Sequence, residues 1–484
     1  MSYNVYITRL TNVRPHPNAD RLQLADCFGN TVCISLDHNP YGLIVYFPAD
    51  GQISEEFGKV NDLFRRKDEN GNQAGGFIDP VKRNVQCIRL RGEKSDGLAL
   101  PLSCLEPFGD TSSLKEGDIV TVFNGHEIAR KYIPKTNHRN HASGAHNKVK
   151  KKKVVIAPLF QEHKDTEQLA YNLNDFKEGD QIEITLKMHG TSGRTGYLPC
   201  FKRYKPDFWG KVANSVDPNK KLGKLAASLY ERALRYATPI YEWGYVSGTR
   251  NVVLENYEDG FYGSNKFREK HAKTFEGKLH KGETVYYEIV GFTDAGTPIM
   301  ATADNRKLND KEFIKKYGKE TVFSYGCDCA EQAWREDRGQ DPNKPESDIY
   351  VYRMTMTNED GDVVEYTPDF MRYRCEQMGV KTVPVFWKGY LTSDNYAYVC
   401  LDEDSNPIGT VADYVQYLAE SFYDGADPIG KTHIREGVVV RIVNRPTFTA
   451  YKHKNFNFKV LENIIKVNAD APDMEEAQEI VDQG

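Results

Sequence analysis

Apolar side chains recur at every second position in short runs along most of this chain. NVYITRL, LIVYFP, VQCIRLRG and IVTVF come early, and DQIEITLK, TVYYEIVGF, DIYVYRMTM, GVVVRIV and FKVLENI follow. A period of two marks a strand that buries one face, and such a strand needs partners on both edges. Gly, Pro, Asn and Asp separate the early runs, which predicts a β-rich module over residues 1–128, built as a small barrel. Later runs alternate with helical stretches. LGKLAASLYERALRYA places Leu222, Leu225, Ala226, Leu229 and Ala233 on one helical face. TPDFMRYRCEQMG has Thr367 as a cap, Pro368 in the first turn and Gly379 as a stop, and TVADYVQYLAESFYDG repeats the design between Thr410 and Gly425. The strands and helices keep no strict βαβ rhythm, so the expected class is α+β. No repeat of fixed period is visible.

Charge divides the chain further. Over 484 residues the net charge is only -5. Yet residues 129–153 read ARKYIPKTNHRNHASGAHNKVKKKK, with nine Lys or Arg and no acid, and residues 466–484 form an acidic tail. The expected organisation is therefore a module at 1–128, a basic linker at 129–153, a larger module at 154–465 and the tail. A basic run of this kind suits contact with a polyanion, because each lysine that meets a phosphate releases counterions. His138, His141 and His146 follow no helical spacing and have Gly144 among them, so they make no metal site.

No run of apolar residues is long enough to span a membrane. The opening MSYNVYITRLTN has no basic stretch ahead of an apolar core, and the nine cysteines are odd in number and scattered. Reduced thiols and a cytoplasmic location are the expectation. Cys327 and Cys329 sit too close for the usual zinc pair, and no second pair answers them.

The chemistry begins at ITLKMHGTSGRTGYL, which ends at Leu198. Ile182, Ile184 and Leu186 alternate and face one side, leaving Thr185 and Lys187 on the other. The strand then stops at His189 and Gly190. Alone, a lysine there is an edge charge. Downstream stand Arg250 in SGTRN, Glu288 in the apolar VYYEIVG, Tyr350 and Tyr352 in DIYVYRM, Glu436 in REGVVVRIV, and Lys452 and Lys454 in AYKHKNFNFK. In that order these residues resemble the covalent nucleotidyltransferases, the superfamily of polynucleotide ligases and capping enzymes. The first motif reads KxHG, over Lys187, Met188, His189 and Gly190. Histidine at its third place resembles the nick-sealing RNA ligases. VRPHPNADRLQLADC (residues 13–27) resembles the turn of OB-fold tRNA-binding modules, which points to the RNA ligases with an N-terminal OB domain.

The resemblance implies an ATP-dependent RNA ligase that works through a lysyl-AMP intermediate, with an adenylation domain at 154–465. Lys187 would carry the AMP, and His189 and Gly190 would complete the motif around it. Glu288 would contact the ribose. Tyr352 would stack on adenine, with Tyr350 second on the same strand face. Glu436 would hold Mg2+ or Mn2+, directly or through water. Lys452 and Lys454 would touch the AMP phosphate, with Lys459 as the rival, and Arg250 would add positive potential. Only a neutral amine attacks phosphorus, so burial and these cations would have to favour that form. The glycine at 190 would let the backbone pass close to the nucleotide. The implied partner is a nicked duplex containing RNA, with no membrane and no obligate protein partner. Two departures stand out: Ser192 occupies a place where these ligases commonly carry Asn, and residues 292–347 read as an insertion. The competing expectations are a GTP-dependent capping guanylyltransferase and a catalytically inactive RNA- or tRNA-binding protein.

Overall fold

The computed structural model describes residues 3–67, 73–132, 155–216, 224–258, 262, 264–327, 346–402 and 405–467. Most of the basic linker, all but two residues of the acidic tail, and Cys329 lie outside them. The described parts are mixed α and β, with two large sheets in the second half of the chain.

The first sheet has five strands in the order Glu167–Gln168, Thr449–Lys454, Gly437–Ile442, Gln181–Lys187 and Val385–Tyr390. Its neighbours run antiparallel apart from the first pair. Ile182, Ile184, Val438, Val440 and Ile442 form one apolar face. Helix Val411–Tyr423 covers it with Val415, Leu418 and Ala419, and a Thr410–Asp413 capping box starts that helix. The second sheet runs Pro239–Gly248, Thr191–Tyr204, Glu283–Gly291, Ser347–Thr357 and Val363–Glu365, with Lys381–Thr382 added beside Ser347–Thr357. Every residue of Glu283–Gly291 is buried, as a central strand with both faces covered must be. Helix Pro368–Met378 lies nearby, capped by Thr367 and closed by Gly379 in the left-handed region, as the sequence predicts.

The N-terminal module departs from the expected barrel. Its strands pair as several small sheets that, among the described residues, do not join into one closed ring. Strand Ile44–Phe47 shows why. Val45 and Phe47 belong to one apolar core while Ile44 and Tyr46 belong to another. A barrel wall exposes one of its faces, whereas this strand is a partition between two cores. The turn after Pro15 is tied down by His16, whose ring bonds the Leu90 carbonyl at 3.1 Å and the Asn18 amide at 3.0 Å. Tyr171 stacks on Tyr6 with ring centroids 4.9 Å apart, joining the module to the larger part.

The predicted helical stripe also shifts. Helix Lys224–Tyr236 buries Tyr230 and Ala233, while Leu229 is 47% exposed and Ala226 is exposed. This helix packs on the single helix Phe208–Asn214 rather than on a broad sheet, so only a narrow face is covered.

Glu283 anchors the central strand. Both its oxygens accept from Arg374, at 2.9 and 2.8 Å, and it also accepts from the Tyr366 hydroxyl and the His280 amide. Glu283→Ala leaves Arg374 buried without its counter-charge. It should cost about 3–5 kcal/mol in urea unfolding. Replacing Glu283 and Arg374 together by Met should recover much of that loss.

Candidate active site

The register of the first sheet assembles a cluster of charge. Gly437 pairs with Lys187 on one side and with Lys454 on the other. Glu436, just ahead of it, therefore lies between two lysines. Its Oε1 is 2.8 Å from Lys187 Nζ and 3.2 Å from Lys454 Nζ. A side chain at 437 would meet the His453 carbonyl at 2.1 Å, so glycine is what lets these strands close up. Met188, His189 and Gly190 then carry the chain from the first sheet to the second, where Thr191 pairs with Ile289. At Gly190 a Cβ would come within 2.3 Å of the Ile289 carbonyl. The glycine thus serves the crossing between sheets, a tighter demand than the approach of a ligand expected from the sequence.

A cavity of about 640 Å³ opens at this crossing, within the roughly 300–1,000 Å³ range of small-molecule sites. Lys187, His189, Gly190, Arg250, Glu288, Tyr352, Glu436, Lys452 and Lys454 all line it. So does Ser192, beside Glu288 in the second sheet. Burial by itself would raise the Glu436 carboxyl, but Lys187, Lys454 and His189 hold it well below the usual range. Its Oε2 is buried and without a hydrogen-bond partner, with His189 Nδ1 3.5 Å away. Burial, then Lys454, Lys187 and Arg250, lower the Lys452 ammonium to about 8.

The two tyrosines differ in their surroundings. The pairing of Ser347–Thr357 with Glu283–Gly291 slips between Tyr286 and Tyr287, leaving Tyr352 as the extra residue of a bulge. Tyr350 pairs with Glu288. Tyr350 is buried in the main core, while Tyr352 reaches the cavity and hydrogen-bonds His163 Nδ1 at 3.2 Å. The rival lysine is also placed. Lys459 is 2.5 Å from Asp96 of the N-terminal module. Burial would lower its ammonium, yet Asp96 raises it. It joins the module to the cavity, which it lines together with Lys452 and Lys454.

Several site residues escaped the sequence reading. His163, pushed down to about 3 by burial and then Arg250, stands edge-on to Tyr352, and Asp165 holds Arg250 at 2.9 Å. Both come from an irregular stretch between the linker and the first sheet, where no periodicity marks them. The insertion supplies Phe323 and Tyr325. The His189 amide donates to the Tyr325 hydroxyl at 2.6 Å, and the His189 ring meets Phe323 and Phe458 edge-on, with centroids 4.6 and 4.7 Å away. The insertion thus fixes the peptide that crosses between the sheets. The described cysteines are free thiols. No helix among the described residues is long and apolar enough to cross a membrane.

No protein family matches this sequence, and neither does any curated protein. Solved structures do match in fold. An RNA ligase of Naegleria gruberi, a lysine-to-alanine mutant with ATP and Mn, is 15% identical, with a TM-score of 0.51 over 94% of this chain and 98% of the other. A lysine-to-methionine mutant of the same ligase with AMP and Mn is also 15% identical, with a TM-score of 0.50 over 94% of this chain and 97% of the other. The chain has the fold of these RNA ligases along nearly its whole length.

The Lys452 geometry sets a pH dependence. A polyanion favours the ammonium, which this environment begins to discharge near pH 8. Affinity for inorganic tripolyphosphate should hold below that pH and fall above it, by at most about tenfold per unit. Calorimetric titration between pH 7 and 9.5 checks this, and Lys452→Met should flatten the fall. An unchanged slope in that variant would assign the proton to another group.

Proposed function

We propose that this protein is an ATP-dependent RNA ligase that joins a 5′-phosphate to an RNA 3′-hydroxyl at nicks in duplexes. The observation that carries the reading is Lys187 and Lys454 gathered on buried Glu436, in a cavity that Glu288 and Tyr352 line from the other sheet. The fold shared with RNA ligases that hold ATP or AMP with Mn supports it.

In this reading Lys187 attacks the α-phosphorus of ATP. A nitrogen–phosphorus bond forms, the bond from the α-phosphorus to the bridging oxygen breaks, pyrophosphate leaves, and the amine proton passes to solvent. A 5′-phosphate oxygen then attacks the same phosphorus and releases Lys187. Last, the 3′-hydroxyl attacks the 5′-phosphate and expels AMP. Lys187 must part from Glu436 before it can attack. Lys452 and Lys454 stabilise charge on the phosphate, and Arg250 adds to their potential. Glu288 takes the ribose hydroxyl, and Tyr352, braced by His163, stacks on adenine. His189, boxed by aromatic rings, holds Lys187 and Glu436 in register.

The residues fit a divalent cation. Glu436 offers a buried carboxylate oxygen with no hydrogen-bond partner. Among the described residues no three acidic, histidine or cysteine side chains group to hold a metal alone. Glu436 with phosphate oxygens and water would therefore hold Mg2+ or Mn2+, which would offset triphosphate charge. The N-terminal module and the basic segment at 129–153 would grip the nucleic acid, so that AMP capture and sealing draw on different parts of the chain.

Mass measurement after incubation with ATP and Mg2+ should find one AMP on Lys187, with none added from GTP. Lys187→Ala should form no adduct yet retain sealing of a pre-adenylylated nick, since that step no longer needs the amine. Adduct formation at the normal rate in Lys187→Ala would sink the reading. Glu436→Ala should slow AMP transfer by at least about a hundredfold, and Glu436→Asp by less, because the shorter acid keeps the charge. Near-normal transfer in the alanine variant would make Glu436 a purely structural residue.

A further inference from the structure

Strand Thr191–Tyr204 touches the cavity at Ser192 and continues far beyond it. From Ser192 to Tyr204, at about 3.3 Å per residue, is roughly 40 Å of strand. At its far end the chain makes the helices Phe208–Asn214 and Lys224–Tyr236 before returning as the partner strand Pro239–Gly248, whose Pro239 pairs with Tyr204. Tyr204, Ala213 and Ala233, with Phe201, Trp209, Val212, Leu234 and Ala237, give this helical arm a small core of its own.

The outside of the arm is basic. Lys202, Arg203, Lys205, Lys211, Arg232 and Arg235 are exposed, against the acids Asp207, Glu231 and Glu242. Asp207 is used as the cap of the first helix. Among the described residues, only Lys202 of the six cations has an acidic partner within ion-pair distance, Glu242 at 3.6 Å. The other five bring positive charge to one small surface. Phe208 (68% exposed) and Tyr236 (55%) each meet Trp209, with ring centroids 5.0 and 5.5 Å away, and Arg232 lies over the Trp209 ring at 5.6 Å, so the rings form a narrow row interleaved with a cation. An interface with another folded protein centres on apolar contact and is depleted of lysine, whereas a grip on phosphates is not.

We propose that this arm binds the phosphate backbone of the RNA duplex whose nick occupies the cavity, roughly fourteen base pairs from the joint at the A-form rise of about 2.8 Å per pair. The choice of RNA rests on the ligase reading. The positive surface and its distance along a single strand rest on the structure. The arm then acts as an outrigger: it sets duplex orientation and affinity, and takes no part in loading AMP on Lys187.

The test uses the full chain and a duplex of about thirty base pairs with a central nick. Changing Arg203, Lys205, Lys211, Arg232 and Arg235 together to Gln should weaken binding about tenfold or more at 0.1 M salt. The log–log salt slope should fall by up to about 4.5 units. Lys205→Gln with Lys211→Gln is the milder pair, well away from the arm's core, and should lower the slope by about 1.8. A nicked duplex trimmed to about six pairs on each side should bind the unaltered protein weakly and be insensitive to either change. Equal binding and slope in the altered and unaltered proteins would overturn the proposal. So would displacement of the long duplex by polyglutamate of equal charge as readily as by RNA. Failure of the unaltered protein to take AMP onto Lys187 would instead remove the ligase reading, while the binding comparison would still decide whether the arm holds RNA.

Discussion

The carboxylate of Glu436 is almost wholly removed from water and shared by Lys187 and Lys454. A buried carboxylate is costly unless charge and geometry compensate it. Here the compensation comes from strands on both sides of Gly437, so the register of three strands must be right for one acid to be stable. A slip of one residue would turn the lysines to the opposite face and leave the acid unpaired. The same arrangement makes the site chemically ready. In the proposed function, the lysine that would attack and the carboxylate that would hold a cation form one ion pair.

Lys187, the partner of Glu436, is also the last residue before the chain crosses between its two sheets. Met188, His189 and Gly190 are too short to adjust, so their neighbours do the fitting. The Ile289 carbonyl excludes any side chain at 190, and Phe323, Tyr325 and Phe458 fix His189. Phe323 and Tyr325, from the segment after the second sheet's central strand, therefore contribute to the site. They add apolar walls around the one polar ring that the crossing requires. Buried ion pairs hold the neighbouring strands: Glu283 with Arg374, Arg353 with Glu365, and Glu183 with Arg372. Each leaves a costly unpaired charge if its strand shifts, which penalises alternative registers.

Cations are graded outward from this centre. Lys452 is buried and partly discharged by its surroundings, Lys454 and Arg250 are held by carboxylates, and the arm's arginines and lysines stand in water. Charges in a low-dielectric cavity act strongly over short distances, and those in solvent act weakly and are screened by salt. A small triphosphate and a long polyanion make these two different demands. In the proposed function the two demands fall at opposite ends of one strand.

The sequence by itself determined the class of fold, the helix caps at Thr367 and Thr410, and nine of the residues that line the cavity. These are legible because periodicity, caps and ordered motifs are local patterns. The bulge at Tyr352 was not, because a bulge depends on pairing with another strand. The closed barrel expected at the N-terminus failed for a similar reason: four consecutive apolar residues at 44–47 do not say whether they face one core or two. His163, Asp165 and Tyr325 carried no local signal at all, being distant in the chain and joined to the site only by contact. Lys459 could not be told from Lys452 and Lys454 until Asp96 was beside it. Alternation and capping are written residue by residue. Which charges become partners, and which faces are shut from water, is decided only when strands far apart in sequence settle into one register.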